Sequence, residues 1–332
     1  MSRPRILLSK PHAIRWIVAC DMNPLVSAVI PTLRRPELVV RAIRSVLSQT
    51  FAELELIVVI DGPDPATAAA VTQIDDARLR VIQNETSVGP GNARNQGAAA
   101  ARAQWVAFLD DDDEWLPERL SRQWEAAGSS TDAVIVTCLS HIVTPSARYI
   151  WPRRPYDNVT SLGDYLFDRR TLFMGDSYLQ TSSILMPRSL FDRFKFPPQS
   201  IHEDWDLWLR ATKLGKARVI TVPDALVVVH TEEERSSLGR NIPWQISLNW
   251  ADANRDLIGP RAYAGFCLTN LAPHLARSGN YRSFFMLLWR AIRHGRPTPT
   301  HLLIYVVFGL VPDGWRRRIR GRWYRASTTP SP

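Results

Sequence analysis

WVAFLDDDDEW, residues 105–115, sets an apolar run directly against four acids. The run at 106–109 is short and carries a helical pattern on each side, so it reads as a buried strand of a parallel sheet. Sheets of that kind bind ligands in the crevice beyond the carboxyl ends of their strands, where these acids would stand. Four like charges held there repel one another unless a cation intervenes. In an extended chain residues i and i+2 face the same way, so Asp110 and Asp112 are expected to face one metal ion. The plainer reading is a solvated acidic loop that caps the next helix, and the run alone does not separate the two.

The residues upstream do. Residues 26–30 form an apolar strand closed by Pro31, and Pro36 with Leu38, Ala42 and Val46 predicts a helix to about residue 49. A strand at 54–60 ends in the turn signal Asp61-Gly62-Pro63. A helix over 66–74, a strand over 79–82, a loop at 84–91 and a helix over 92–102 lead to the acidic stretch. This βαβαβαβ order implies an α/β fold, a mostly parallel sheet with helices on both faces. Downstream, a helix over 117–127 and a strand over 133–138 precede a section, 139–180, without clear patterning. A strand follows at 181–186. Ser200 and Glu203 fit a capping box that opens a helix to about 214. Strands at 219–222 and 226–229 end at His230, and from Pro243 the pattern is helical.

Composition excludes a disordered chain: 332 residues are 45% hydrophobic and 22% charged. The net charge of +9 sits at the ends. Residues 281–325 hold ten Arg and one Asp, residues 1–23 four basic groups and one acid, and the body between is slightly acidic. Cys20, Cys138 and Cys267 lie far apart, which fits a reducing compartment such as the cytoplasm rather than a disulfide framework. No cleavable leader is expected in the irregular basic arm at 1–24. The longest uncharged apolar run, ten residues at 302–311, is short of the ~20 a spanning helix needs. The basic tail interleaves Arg with Trp315, Trp323 and Tyr324. Such a mix suits an anionic membrane surface, a nucleic acid, or a helical lid with a solvated end, in that order of fit for the first two.

A dinucleotide fingerprint fails on inspection. Gly89-Pro90-Gly91-Asn92-Ala93-Arg94 puts Arg94 where the third glycine belongs and follows the third strand instead of the first. Walker A is absent too. Gly89 and Gly91 instead leave a loop free of Cβ clashes at a helix N-terminus, open to close approach by a ligand.

Val29-Ile30-Pro31-Thr32, Asp61-Gly62, GPGNARNQG (89–97), FLDDDDEW (108–115) and HEDWDLWLR (202–210) occur in one order and spacing. That set resembles glycosyltransferase family 2, enzymes of the GT-A fold, over roughly residues 25–235, with a helical basic region at 236–332 beyond. The resemblance implies that Pro31, Thr32 and Asp61 hold the nucleobase, Asp61 accepting from a ring N–H, and that Arg94 contacts the nucleotide. It makes Asp110 and Asp112 the DXD carboxylates, with Asp110 or Asp111 on the ribose and Asp112 on Mg²⁺ or Mn²⁺ bridging the diphosphate. It makes Asp204 the general base of an inverting displacement, His230 a metal or phosphate ligand and Arg235 a diphosphate contact. Leu33-Arg34 stands where the family often has an aromatic and an Asn, which leaves the base unspecified.

Each residue also has a plain reading. Asp61 fits a turn, Arg94 a surface cation, Asp204 a first-turn acid favoured by the helix dipole, and His230 a strand end. Trp205, Trp208 and Leu209 fall at core-facing spacing. The implied partners are a nucleotide-diphosphate sugar and a glycan or lipid-linked glycan acceptor of cell-envelope polysaccharide assembly. The rivals are a non-catalytic membrane- or nucleic-acid-binding protein on a degenerate fold, and a nucleotidyltransferase using the same acids.

Overall fold

Val26–Thr32 and Leu54–Ile60 are buried at every position, as strands covered on both faces must be. The computed structural model describes residues 14–16, 23–128, 133–171, 175–198, 201–231 and 243–311. The chain divides into two compact units, Met1–Val159 with Gly175–Ser237, and Thr160–Met174 with Leu238–Pro332. Residues 160–174, which the sequence places inside the first domain, cluster with the second.

In the first unit the elements run β1 (Ile14–Trp16), β2 (Val26–Thr32), α1 (Pro36–Leu47), β3 (Leu54–Ile60), α2 (Pro65–Thr72), β4 (Leu79–Gln83) and α3 (Pro90–Ala99). They continue with β5 (Trp105–Phe108), β6 (Asp113–Trp115), α4 (Arg119–Ala127), β7 (Val134–Thr144) and β8 (Ala147–Trp151). After α5 (Leu162–Phe167), which belongs to the second unit, come β9 (Leu185–Pro187), α6 (Arg188–Phe194), α7 (Glu203–Lys213) and β10 (Arg218–His230).

The sheet order is β1-β4-β3-β2-β5-β9-β7-β10-β6, with β8 hydrogen-bonded to β7. β4, β3, β2 and β5 are parallel, the expected βα frame. Parallel character stops at β9, which enters antiparallel to β5, and the far half of the sheet is mixed. Because β3 and β4 extend one way from β2 and β5 the other, the strand order reverses between β2 and β5. That is where an open α/β sheet leaves a crevice.

Local chemistry explains the elements that frame this crevice. Pro36 starts α1 without a lost donor, and Val39, Ala42, Ile43 and Val46 place one face on the sheet. Gly97 lets α3 lie close on β2, since a Cβ there would stand 2.3 Å from Val29 Cγ1.

Three local readings change. Ile14–Trp16, expected inside an irregular arm, pairs antiparallel with β4. The strand expected at 181–186 is a short 3₁₀ turn, Thr181–Ser183, before β9. The two strands expected at 219–229 are one, β10, with register shifts around Ala225, where Pro223 lacks a ladder donor.

The second unit is helical: α5, then α8 (Trp244–Ala253), α9 (Arg255–Ile258), α10 (Pro260–Gly265), a π-helical turn at Phe266–Leu271, α11 (Ala272–Arg277), α12 (Tyr281–His294) and α13 (Pro299–Leu310). Phe167, Trp250 and Phe266 meet edge to face or tilted in its core, and Phe284 of α12 stacks on Tyr305 of α13 at 4.0 Å. Among the described residues no helix is long and apolar enough to cross a membrane.

Candidate active site

Because β2, β3 and β5 are parallel, Thr32, Asp61 and Asp110 come out at one end of the sheet. Pro31 and Thr32 are buried in β2. Asp61, 5% exposed, accepts from Asn84 Nδ2 at 3.0 Å and the Val88 N–H at 2.8 Å on Oδ1. Its Oδ2 accepts from Ser87 Oγ at 2.8 Å and the Gly89 N–H at 2.9 Å. The carboxylate therefore holds the loop that feeds α3, whose N-cap Gly89 has φ 87°, a conformation few side chains tolerate. A nucleobase N–H reaching Asp61 would have to displace one of these donors. Replacing Asp61 by Ala leaves four donors without their acceptor. The variant is expected to lose roughly 3 kcal/mol of unfolding free energy in urea denaturation.

After Phe108 the chain turns, with the Asp113 N–H donating to the Asp110 carbonyl at 3.1 Å. This turn, in place of the extended alternation assumed from sequence, brings carboxylate oxygens of Asp110, Asp112 and Asp113 within 4.8 Å of one another. The expected pair is met, for a different reason and with a third member. Asp111 is turned away to Thr32 Oγ1 at 2.8 Å and Arg35 Nη1 at 2.9 Å. Burial, with Asp112 adding and Arg35 opposing, pushes its carboxyl up to about 6. Arg35 also reaches Asp112 Oδ2 at 3.2 Å, and Arg41 Nη2 donates to the Asp112 carbonyl at 2.9 Å. Asp113 accepts from Gln180 Nε2 at 2.5 Å and Ser182 Oγ at 2.7 Å. Three clustered hard oxygen donors fit Mg²⁺ or Mn²⁺ and leave coordination positions for phosphate and water.

The second wall is the start of α7. His202, at φ 70°, is its N-cap and makes no side-chain cap bond. The capping box expected from Ser200 and Glu203 is therefore not what starts the helix. Glu203 is its first residue, and Ser200 lies outside the described residues. Glu203 instead accepts from Arg94 Nη1 at 3.3 Å, while Arg94 Nη2 donates to Asp110 Oδ1 at 2.5 Å. One buried guanidinium, implied as a nucleotide contact, thus also joins the aspartate turn to the α7 N-terminus.

Asp204 follows Glu203 on the first turn. Burial pushes its carboxyl up to about 7, the adjacent Glu203 adds, and Arg94 opposes. Tyr178 feels the charge of both walls. Burial raises its phenol well above the ordinary range, and Asp113, Asp110, Asp204 and Asp112 all add to the shift. Trp208 and Leu209 are core residues as expected. Trp205 is not; it stacks on His202 at 4.5 Å and 10°, directly beside Asp204.

His230, implied as a metal or phosphate ligand, ends β10. The pairing of β10 with β6 sets its Nε2 2.7 Å from Glu114 Oε1, and it is not a member of the carboxylate cluster. Arg235 lies outside the described residues. Residues the sequence reading missed are Asp113, Arg35, Glu203 and the trio Tyr178, Gln180 and Ser182. A signal existed only for Asp113, inside the acid run, and for Arg35, next to Arg34.

Fold and site define a GT-A-like α/β sheet with an acidic crevice at its strand-order reversal. Residues 27–194 match the family model described as Glycosyl transferase family 2. The chain belongs to that family. Succinoglycan biosynthesis protein ExoO of Rhizobium meliloti is 41% identical over 118 residues, 36% of this chain and 34% of that protein. This chain thus matches about a third of that relative's length. UDP-Glc:alpha-D-GlcNAc-diphosphoundecaprenol beta-1,3-glucosyltransferase WfgD of Escherichia coli is 26% identical over 194 residues, 57% of this chain and 70% of that one. Among solved structures, the mannosyltransferase PcManGT from Pyrobaculum calidifontis, in complex with GDP-Man and Mn2+, superposes with a TM-score of 0.56 at 17% identity. The superposition covers 92% of this chain and 85% of that one, a likeness of fold.

Proposed function

We propose that the protein is an inverting, divalent-cation-dependent glycosyltransferase of the cytoplasm. It moves a sugar from a nucleotide-diphosphate donor to a hydroxyl of a glycan or lipid-linked glycan during cell-envelope polysaccharide assembly. The observation that carries this reading is the convergence of two acidic groups with different chemistry. One is a cluster of three carboxylates at the strand-order reversal; the other is Asp204, whose proton affinity burial moves near neutrality. A relative that acts on a diphosphoundecaprenol-linked acceptor and a fold neighbour solved with Mn2+ support it.

Pro31 and Thr32 line the base-side wall, and Asp61 acts by fixing the loop at α3. Asp110 and Asp111 serve the ribose side, and Asp112, with Asp110 and Asp113, would hold Mg²⁺ or Mn²⁺. Such an ion, when bound, neutralises charge developing on the leaving diphosphate. The acceptor hydroxyl gives its proton to the Asp204 carboxylate as its oxygen bonds to the anomeric carbon, and the bond from that carbon to the diphosphate oxygen breaks. Attack opposite the leaving group inverts the configuration. Arg235 serves as a diphosphate contact, and His230, held by Glu114 at 2.7 Å, serves on the phosphate or metal side.

Chelation tests the metal. With EDTA, release of nucleoside diphosphate from a nucleotide sugar is expected to stop, and Mn²⁺ or Mg²⁺ to restore it. A panel of nucleotide sugars with Mn²⁺ is expected to raise the melting temperature for one donor. If no donor shifts it and turnover survives EDTA, the metal-dependent reading is wrong. Release of pyrophosphate from a nucleoside triphosphate and a sugar phosphate would point to the nucleotidyltransferase instead.

A further inference from the structure

The second unit carries an apolar surface that its own packing does not use. In α12 Phe284, Leu287 and Ala291 are buried and meet the rest of the unit. On a different side Tyr281, Phe285, Trp289 and Ile292 are 51%, 62%, 60% and 61% exposed. Their spacing of four, four and three keeps them within one stripe roughly 16 Å long. Arg282, Arg293 and Arg296 are exposed along the same stretch, and α12 contains no acid. In α13, which stacks on α12 through Tyr305 and Phe284, Leu302, Leu303 and Val306 are also exposed, at 38%, 53% and 47%. Four large side chains lined up this way on one helix exceed the scattered exposure that needs no explanation.

We infer that this face of α12 docks on an anionic phospholipid surface, with Phe285, Trp289 and Ile292 dipping into the acyl boundary and the flanking arginines on headgroup phosphates. Aromatics and arginines together are the side chains that suit the boundary between headgroups and chains. Charge decides against the other apolar partner, a second copy of the chain. A two-fold contact brings the same patch against itself, and Arg282, Arg293 and Arg296 stand along it while α12 and α13 carry no acid of their own; the nearby Asp252 is taken by Arg290 at 2.8 Å. An anionic surface answers all of them, and residues 312–332 continue the sign with six Arg and one Asp. The inference rests on the proposed lipid-linked acceptor for its purpose, not for its physics.

The test is co-sedimentation of the full chain with phosphatidylcholine vesicles, with and without phosphatidylglycerol, beside analytical ultracentrifugation of the protein alone. Binding is expected with phosphatidylglycerol only, weakening as salt rises. The triple variant Phe285→Ser, Trp289→Ser, Ile292→Ser is expected to bind about 100-fold more weakly. Because those side chains are solvated, its circular dichroism melt and its transfer to a soluble acceptor are expected to match the parent. Failure of the parent to bind anionic vesicles, or equal binding by the variant, overturns the docking. So does a parent dimer that the variant dissociates, which assigns the face to a second copy. A parent that binds anionic vesicles but transfers no sugar would instead strike the enzymatic reading.

Discussion

Asp204→Asn is expected to lower kcat about 1,000-fold while leaving the donor KM within roughly twofold, since the loss is of proton removal and not of donor binding. The substitution keeps size and hydrogen bonding near the Trp205 N–H, which donates to Asp204 Oδ1 at 2.7 Å. What it removes is a carboxylate with raised proton affinity. The same shift sets the pH profile. Below pH about 7 Asp204 is protonated and cannot accept from the acceptor hydroxyl, so kcat/KM should rise with pH through that value in the parent. For stability the sign runs the other way. The folded carboxyl binds its proton more tightly than an unfolded Asp, so its contribution is full in acid and is lost as pH rises through about 7. The Asn variant therefore should melt above the parent at pH 8, inactive and more stable. A variant with parental kcat would remove Asp204 from the chemistry. A parental rate flat from pH 5 to 8 would remove the titration.

Much of the frame around this site is legible in the sequence, because strand periodicity and turn residues act locally. The 54–60 strand runs to the boundaries expected, and the loop expected at 84–91 ends two residues sooner, at Gly89, the N-cap of α3. The pairing of Asp110 with Asp112 was reached from extended geometry, while the chain reaches it by a turn. Partners set by tertiary contact were not legible. Glu203 looked like a cap because Ser200 precedes it by three; only the fold brings Arg94 from α3, 109 residues earlier in the chain, to its carboxylate. Gln180 ends a stretch with no period and Ser182 lies in residues expected to be strand, yet both hold Asp113. The resemblance implies a ligand role for His230, and its neighbour Glu114 was not legible because strand pairing alone sets the two side by side.

Arg94→Met is expected to be the most damaging change outside the reacting groups. Arg94 is 6% exposed, packs over the Phe196 ring at 5.3 Å, and is shared between Asp110 and Glu203. Methionine keeps much of the apolar volume and removes the charge, leaving two carboxylates facing each other across a site that already holds Asp112, Asp113 and Asp204. Breaking a buried pair from one side costs about 3 kcal/mol, which urea denaturation at pH 7 would report. Repulsion then favours protonation. Arg94 now lowers the Asp204 proton affinity, so without it the acid limb of kcat/KM should move above pH 7. A merely structural arginine would not move that limb. Adding Glu203→Gln to Arg94→Met removes the carboxylate left unpaired, and the double variant should regain part of the stability that the single one loses. Glu203→Gln alone leaves Arg94 with Asp110 and should cost less than Arg94→Met. If Arg94→Met unfolds like the parent and keeps its pH limb, the guanidinium is not the link between the aspartate turn and the base, and the two walls must be held in register by packing around Phe196 alone.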